Sequence, residues 1–238
     1  MKILFFLSLL SSLLLSLEFK SSENKVSLIE LYTSQGCSSC PPADKWLSTL
    51  KNKEDLFKTF IPMAFHITYW DFLGWKDTFA KEKFSNRQRY YSSNVWKKSA
   101  VYTPQFIIDA KEYRQWFTSQ AFPSLEPSYA GVLSINLKKD AIEVRFNHKN
   151  KHLNKNVIIN IALLENNFNI HIKEGENKNK NLEHDFVVQE LESHKAKIVN
   201  GMLVQEYQYK IDARKNKALV VFISDEKGKQ IQASASYL

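Results

Sequence analysis

The sequence predicts an α/β layer fold over its first half and a mainly antiparallel β region over its second. Three observations carry this expectation. Strand-like and helix-like segments alternate before residue 122, and short apolar runs of strand length follow one another after residue 128. Between them, Pro123 and Pro127 bracket "FTSQAFPSLEPS", a stretch suited to neither helix nor central strand. The expected organisation is a leader at 1–20, a first domain at 21–122 and a β-rich domain at 128–238.

The leader comes first. Lys2 is followed by "ILFFLSLLSSLLLSL", an uncharged apolar stretch ending at Leu17. It is shorter than the roughly 20 residues a membrane-spanning helix needs, so it reads as a signal-peptide core. Export to the periplasm or secretion follows, and the alternative is an uncleaved leader, the one membrane contact expected. Next come a strand at residues 26–32, a helix at about 42–51, a strand at 61–67, a long helical region at about 78–96 and a strand from Pro104. In the second half "GVLSINL", "AIEVRF", "VIINIALL", "NIHIK", "MLVQEYQYKI", "ALVVFIS" and "KQIQASASYL" read as strands, with "KKD" and "DEKGK" as hairpin connections.

Composition narrows the function. Of the 238 residues 44% are apolar and five are Trp, which indicates a globular chain with real cores. The net charge of +8 comes from scattered lysines, giving at most a weak preference for anionic surfaces. No nucleic-acid motif is present, and no nucleic acid is expected as a partner. "KEGENKNKNLEH", from Lys173, mixes signs and asparagines like a solvated loop.

Both cysteines of the chain lie in "SQGCSSCPPAD", at positions 37 and 40. A bridge between them closes almost no loop and therefore constrains the unfolded chain little. A structural zinc site needs a second ligand pair, which is missing. The spacing points to a redox or soft-metal pair. An apolar strand ends at Thr33, Gly36 provides a turn, and Cys37 falls where a helix should start, so that helix-terminal N–H groups would favour its thiolate. Cys37 is then the nucleophile and Cys40 the resolving thiol, with Pro41 and Pro42 setting the helix register.

This pair, taken with "VYTPQFIID" at 101–109, resembles the thioredoxin superfamily. The resemblance implies a cis-proline at Pro104 facing the cysteines, a substrate contact from the backbone of Thr103, and a helical insertion before them. "ELYTSQGCSSCPPAD", "AFHITYWDFLGWKDTFA", "RQRYY" and "VYTPQFIID" together resemble the secreted bacterial family catalogued as domain of unknown function 1223. That resemblance implies a thioredoxin-like first domain for this chain and assigns no reaction.

Further candidates surround the pair. Glu30, in an apolar run seven residues before Cys37, matches the place where thioredoxins carry a buried acid, and would take the proton of Cys40; the bland alternative is a structural bond. His66, Trp70, Asp71 and Trp75 are expected to line a substrate groove, with Asp71 and Asp77 capping helices or orienting His66. Arg87 and Arg89 read as a helix face in solvent. Ser38 and Ser39 would hydrogen-bond a thiolate. The leading expectation is an exported thiol-disulfide oxidoreductase with no cofactor beyond the Cys37 to Cys40 disulfide, acting on envelope protein thiols or a membrane redox partner. One alternative is Cu(I) held by Cys37, Cys40 and His66. Another is a binding domain with a static disulfide.

Overall fold

A computed structural model of the protein describes residues 16–119, 121–210 and 216–238. Most of the expected leader, residues 1–15, lies outside the described residues. The elements in chain order begin with β1 (Leu17–Lys20), β2 (Ser27–Thr33), α1 (Pro41–Thr49), β3 (Phe60–His66), α2 (Glu82–Tyr90), β4 (Gln105–Ile108), β5 (Lys111–Tyr113) and α3 (Gln115–Ser119). They continue with β6 (Val132–Leu137), β7 (Ala141–Asn147), β8 (Lys155–Glu165), β9 (Phe168–His171), β10 (Asn181–His184), β11 (Val187–Ile198), β12 (Met202–Gln208), β13 (Lys217–Ser224) and β14 (Gln230–Tyr237). Among the described residues no helix is long and apolar enough to cross a membrane.

The main sheet has eight strands in the order β14-β13-β8-β11-β3-β2-β4-β5. Its centre is mixed: β3 runs parallel to β2 on one side and to β11 on the other, and the remaining pairs are antiparallel. A second, antiparallel sheet has the order β1-β6-β7-β12, and β9 with β10 forms a separate hairpin. Residues 17–20, placed in the leader by the sequence, pair as β1 with β6 from Leu17↔Leu137 to Lys20↔Ser134.

The period of two along a strand explains how the layers stack. In β13 the residues Ala218, Val220 and Phe222 enter a core shared with Ala43, Leu47 and Phe84 of the helices. Their alternates Leu219, Val221 and Ile223 enter a second core against Leu133, Val144 and Phe146 of the four-stranded sheet. All eight residues of β13 are buried, so the unbroken apolar run "ALVVFIS" belongs to a strand covered on both faces. Each of these large side chains contributes roughly 1.5–3 kcal/mol when fully buried.

The structure overturns the predicted fold class, an α/β, thioredoxin-like first domain with a helical insertion followed by a β domain. The described residues are 44% strand and 16% helix, and β2 to β5 do not end in a sheet of their own. The free side of β3 is taken by β11 from the second half, Val187 opposite Ala64, with the Ala64 N–H donating to the Phe186 carbonyl at 2.8 Å. The long helix expected at 78–96 is also cut short. Lys81 is extended and Asp77 caps the Phe79 N–H at 2.9 Å, so α2 starts only at Glu82, and it widens into a π turn at Tyr91–Val95.

Candidate functional site

Between β2 and α1 the chain makes a tight turn. The N–H of Cys37 donates to the Ser34 carbonyl and that of Cys40 to the Cys37 carbonyl, both at 3.2 Å. Helix α1 begins at Pro41, within one residue of the expected start, and Cys40 rather than Cys37 is its N-cap. Two prolines in the first turn need no partner for a missing N–H, which fixes the start. Both cysteines are free thiols; Cys37 is 5% exposed and Cys40 is fully buried.

Across from the turn, the Thr103–Pro104 peptide bond is cis. The Cys37 sulfur lies 3.3 Å from the Ser39 hydroxyl and 3.9 Å from the Thr103 carbonyl oxygen. The Cys40 thiol, followed by the Ser39 and Thr103 hydroxyls, hydrogen-bonds the Cys37 sulfur, and together they outweigh its burial and draw its pKa down to about 6. Burial, then the hydrogen bond to Cys37 and the negative charges of Cys37 and Asp44, pushes Cys40 well above the ordinary thiol range. The two sulfurs therefore differ in role: one is held as thiolate, the other as thiol. A cleft of about 480 Å³ opens next to the turn at Ser39, lined also by Thr103, Pro104, Arg114, Trp116 and Phe117.

The expected groove residues are placed differently. Trp70 supports the site from behind, its indole N–H donating to the Thr103 hydroxyl at 2.6 Å. Trp75 donates to the Gln35 side chain at 2.9 Å. Asp71 accepts the Asp77 N–H at 3.2 Å and caps that loop; burial raises its pKa. His66 is fully buried, with Nδ1 2.7 Å from Asp77 Oδ2, and the same carboxylate oxygen accepts the Gln35 N–H at 2.8 Å. Among the described residues, the group of potential metal ligands whose atoms lie within 4.8 Å of one another is Asp44, His66 and His184, and it includes neither cysteine.

Glu30 is buried and held by four donors: Arg87 grips it from both Nε and Nη2 at 2.9 and 2.8 Å, and the hydroxyls of Tyr32 and Tyr91 each donate at 2.8 Å. A carboxylate so occupied has no free lone pair to offer Cys40. It is a structural anchor between β2 and α2, and Arg87 lies inside with it, whereas Arg89 pairs with Glu82 at the surface.

Sequence reasoning missed the clamp that holds the cysteine turn. Asn177, in the segment read as a solvated loop, is fully buried, and its side-chain amide donates to the carbonyls of Gln35 and Cys37, each at 2.9 Å. Its neighbour Glu176 accepts the Ser38 N–H at 3.1 Å. Its charged and amide-rich neighbours gave no local signal of a buried side chain.

Fold and site together define a mixed-sheet protein with a paired-cysteine turn clamped by a distant loop. The chain belongs to the family described as protein of unknown function (DUF1223), whose model matches residues 28–224. Two solved structures share the fold. Protein AGR_C_4864 from Agrobacterium tumefaciens has a TM-score of 0.65 at 21% identity, covering 90% of this chain and 95% of its own. HBP35 of Porphyromonas gingivalis has a TM-score of 0.59 at 15% identity, covering 92% of this chain and 76% of its own. No curated protein matches the chain.

Proposed function

We propose that the protein is an exported thiol-disulfide exchange protein in which Cys37 attacks and Cys40 resolves. The observation that carries the reading is the unequal pair: a Cys37 thiolate at pKa about 6 beside the cleft at Thr103, backed by a buried Cys40 thiol. With a pKa near 6, about nine-tenths of Cys37 is thiolate at pH 7, against a few per cent for an ordinary thiol.

The exchange balances without a cofactor. The Cys37 thiolate attacks one sulfur of a client disulfide, forming the mixed disulfide and releasing one client thiolate. Cys40 then loses its proton to that departing thiolate and attacks the Cys37 sulfur. The mixed disulfide breaks, Cys37 and Cys40 become joined, and the client leaves with both sulfurs reduced. Two electrons pass from protein to client, and the reverse sequence oxidises a client dithiol. Glu30 has no part in the proton transfer, since its oxygens are engaged by Arg87, Tyr32 and Tyr91. The apolar leader supports export, with envelope protein thiols or a membrane redox partner as reactants.

Trapping tests the reading. Cys40→Ser should accumulate reductant-sensitive mixed disulfides with exported proteins, and Cys37→Ser should form none. Equal labelling by both variants, or by neither, would argue against exchange.

A further inference from the structure

Behind the cysteine turn lies a buried polar cluster that thiol exchange does not use. It joins three elements: His66 at the end of β3, Asp44 in the first turn of α1 and His184 at the end of β10. Asp44 is 6% exposed, His184 is 1% and His66 is fully buried. The imidazoles cross edge to face with ring centres 4.9 Å apart. Three ring nitrogens, His66 Nε2 and both of His184, have no hydrogen-bond partner although they are shut away from water. Orphaned buried nitrogens are costly and call for an explanation.

We propose that Asp44, His66 and His184 form a site for a divalent transition-metal ion of the zinc type, with a fourth position open toward the cleft beside α1. The geometry of the free lone pairs supports it. Asp77 occupies His66 Nδ1 at 2.7 Å, which fixes the tautomer and leaves Nε2 as the ligating atom. Thr33 donates to Asp44 Oδ2 at 3.0 Å, which leaves Oδ1 facing His184 Nδ1 across 3.7 Å. That separation is too long for a hydrogen bond. Two ligands each about 2.0–2.1 Å from a tetrahedral zinc sit roughly 3.3 Å apart, so this pair closes slightly on the ion, and the whole set, its atoms within 4.8 Å of one another, draws in through side-chain rotation.

The donor set has two imidazoles and one carboxylate, and three protein ligands with one open position is the pattern of a reactive rather than a sealed zinc site. Access is provided by a cleft of about 330 Å³ that Asp44 and His184 line together with Lys45 and Asn181. On the far side Phe79 and Phe168, 4.5 Å apart, close the site from solvent, Phe79 packing edge-on against both imidazoles. Asp77 also accepts the N–H of Gln35, so one carboxylate orients a metal ligand and braces the cysteine turn.

The test uses the full chain carrying Cys37→Ser and Cys40→Ser, so that thiolates cannot bind the metal and the outcome is independent of exchange activity. Zn²⁺ alone should bind at one equivalent, and Co²⁺ should give visible absorption without a thiolate charge-transfer band. His184→Gln should weaken zinc binding at least a hundredfold, and Asp77→Asn by roughly 10–100-fold. Ring-nitrogen NMR of the otherwise unaltered thiol-free chain decides even where a variant fails to fold: zinc should shift two of the six histidines. Absence of stoichiometric binding, undiminished binding in folded His184→Gln, or shifts at a different number of histidines would overturn the site.

Discussion

The indole N–H of Trp70 donates to the hydroxyl oxygen of Thr103 at 2.6 Å. That bond uses a lone pair of the oxygen and leaves the hydroxyl proton of Thr103 free to turn toward the Cys37 sulfur, which it helps to hold as thiolate. Thr103→Val removes this donor and keeps the shape. With a net hydrogen bond worth about 0.5–1.5 kcal/mol, the Cys37 pKa should rise by about 0.4–1.1. The midpoint of its alkylation profile reports the change, and an unmoved midpoint would show that the hydroxyl points elsewhere.

The pH profile of the wild type follows from the same neighbours. Cys37 titrates near 6, so its rate of reaction with iodoacetamide should climb as pH rises through about 6 and level off by pH 7.5. Burial and the adjacent negative charge keep Cys40 protonated, so mass spectrometry should find one label per folded chain at pH 7. A midpoint above 8 would mean that the turn does not stabilise the thiolate.

Glu30→Gln separates structure from chemistry. It leaves the half-buried Arg87 without its carboxylate, and breaking one half of a fully buried pair costs about 3–5 kcal/mol, an upper bound for this one. Denaturant unfolding should show that loss, while the Cys37 alkylation midpoint in the still-folded variant stays where it was. A shift in thiol reactivity with little loss of stability would restore Glu30 as a proton acceptor.

Asn177→Ala should loosen the turn from a distance. The buried Gln35 carbonyl loses its donor and that of Cys37 keeps only the Cys40 N–H, and an unsatisfied buried group costs about 1–3 kcal/mol. The expected result is a lower denaturation midpoint at unchanged slope, with faster hydrogen exchange at residues 35–38. An unaffected midpoint would mean that the loop is only draped over the turn.

Some of this was legible in the sequence and some was not, for physical reasons. Local patterns marked the strand before Cys37, the helix started by two prolines and the strand "PQFIID", because periodicity and proline chemistry act over a few residues. The pairing of β3 with β11 joins residues 64 and 187, and nothing in local periodicity states which distant strand will cover an open edge. Hence the two halves looked like separable units, although β13 feeds both cores with alternate residues. Glu30 announced itself as an acid in an apolar run, but its partner Arg87 is 57 residues away and read as a solvated face. Asn177 was hidden by its charged neighbours, since composition describes a segment and burial belongs to a single side chain.

Whether Cys37 and Cys40 exchange disulfides through a stabilised thiolate is read from the reduction potential of the pair in graded glutathione buffers. A Cys37 pKa of about 6 stabilises the reduced form, so the potential should lie above about −230 mV, more oxidising than thioredoxin at about −270 mV. A potential below about −300 mV, where structural disulfides resist the glutathione pool, would contradict the account.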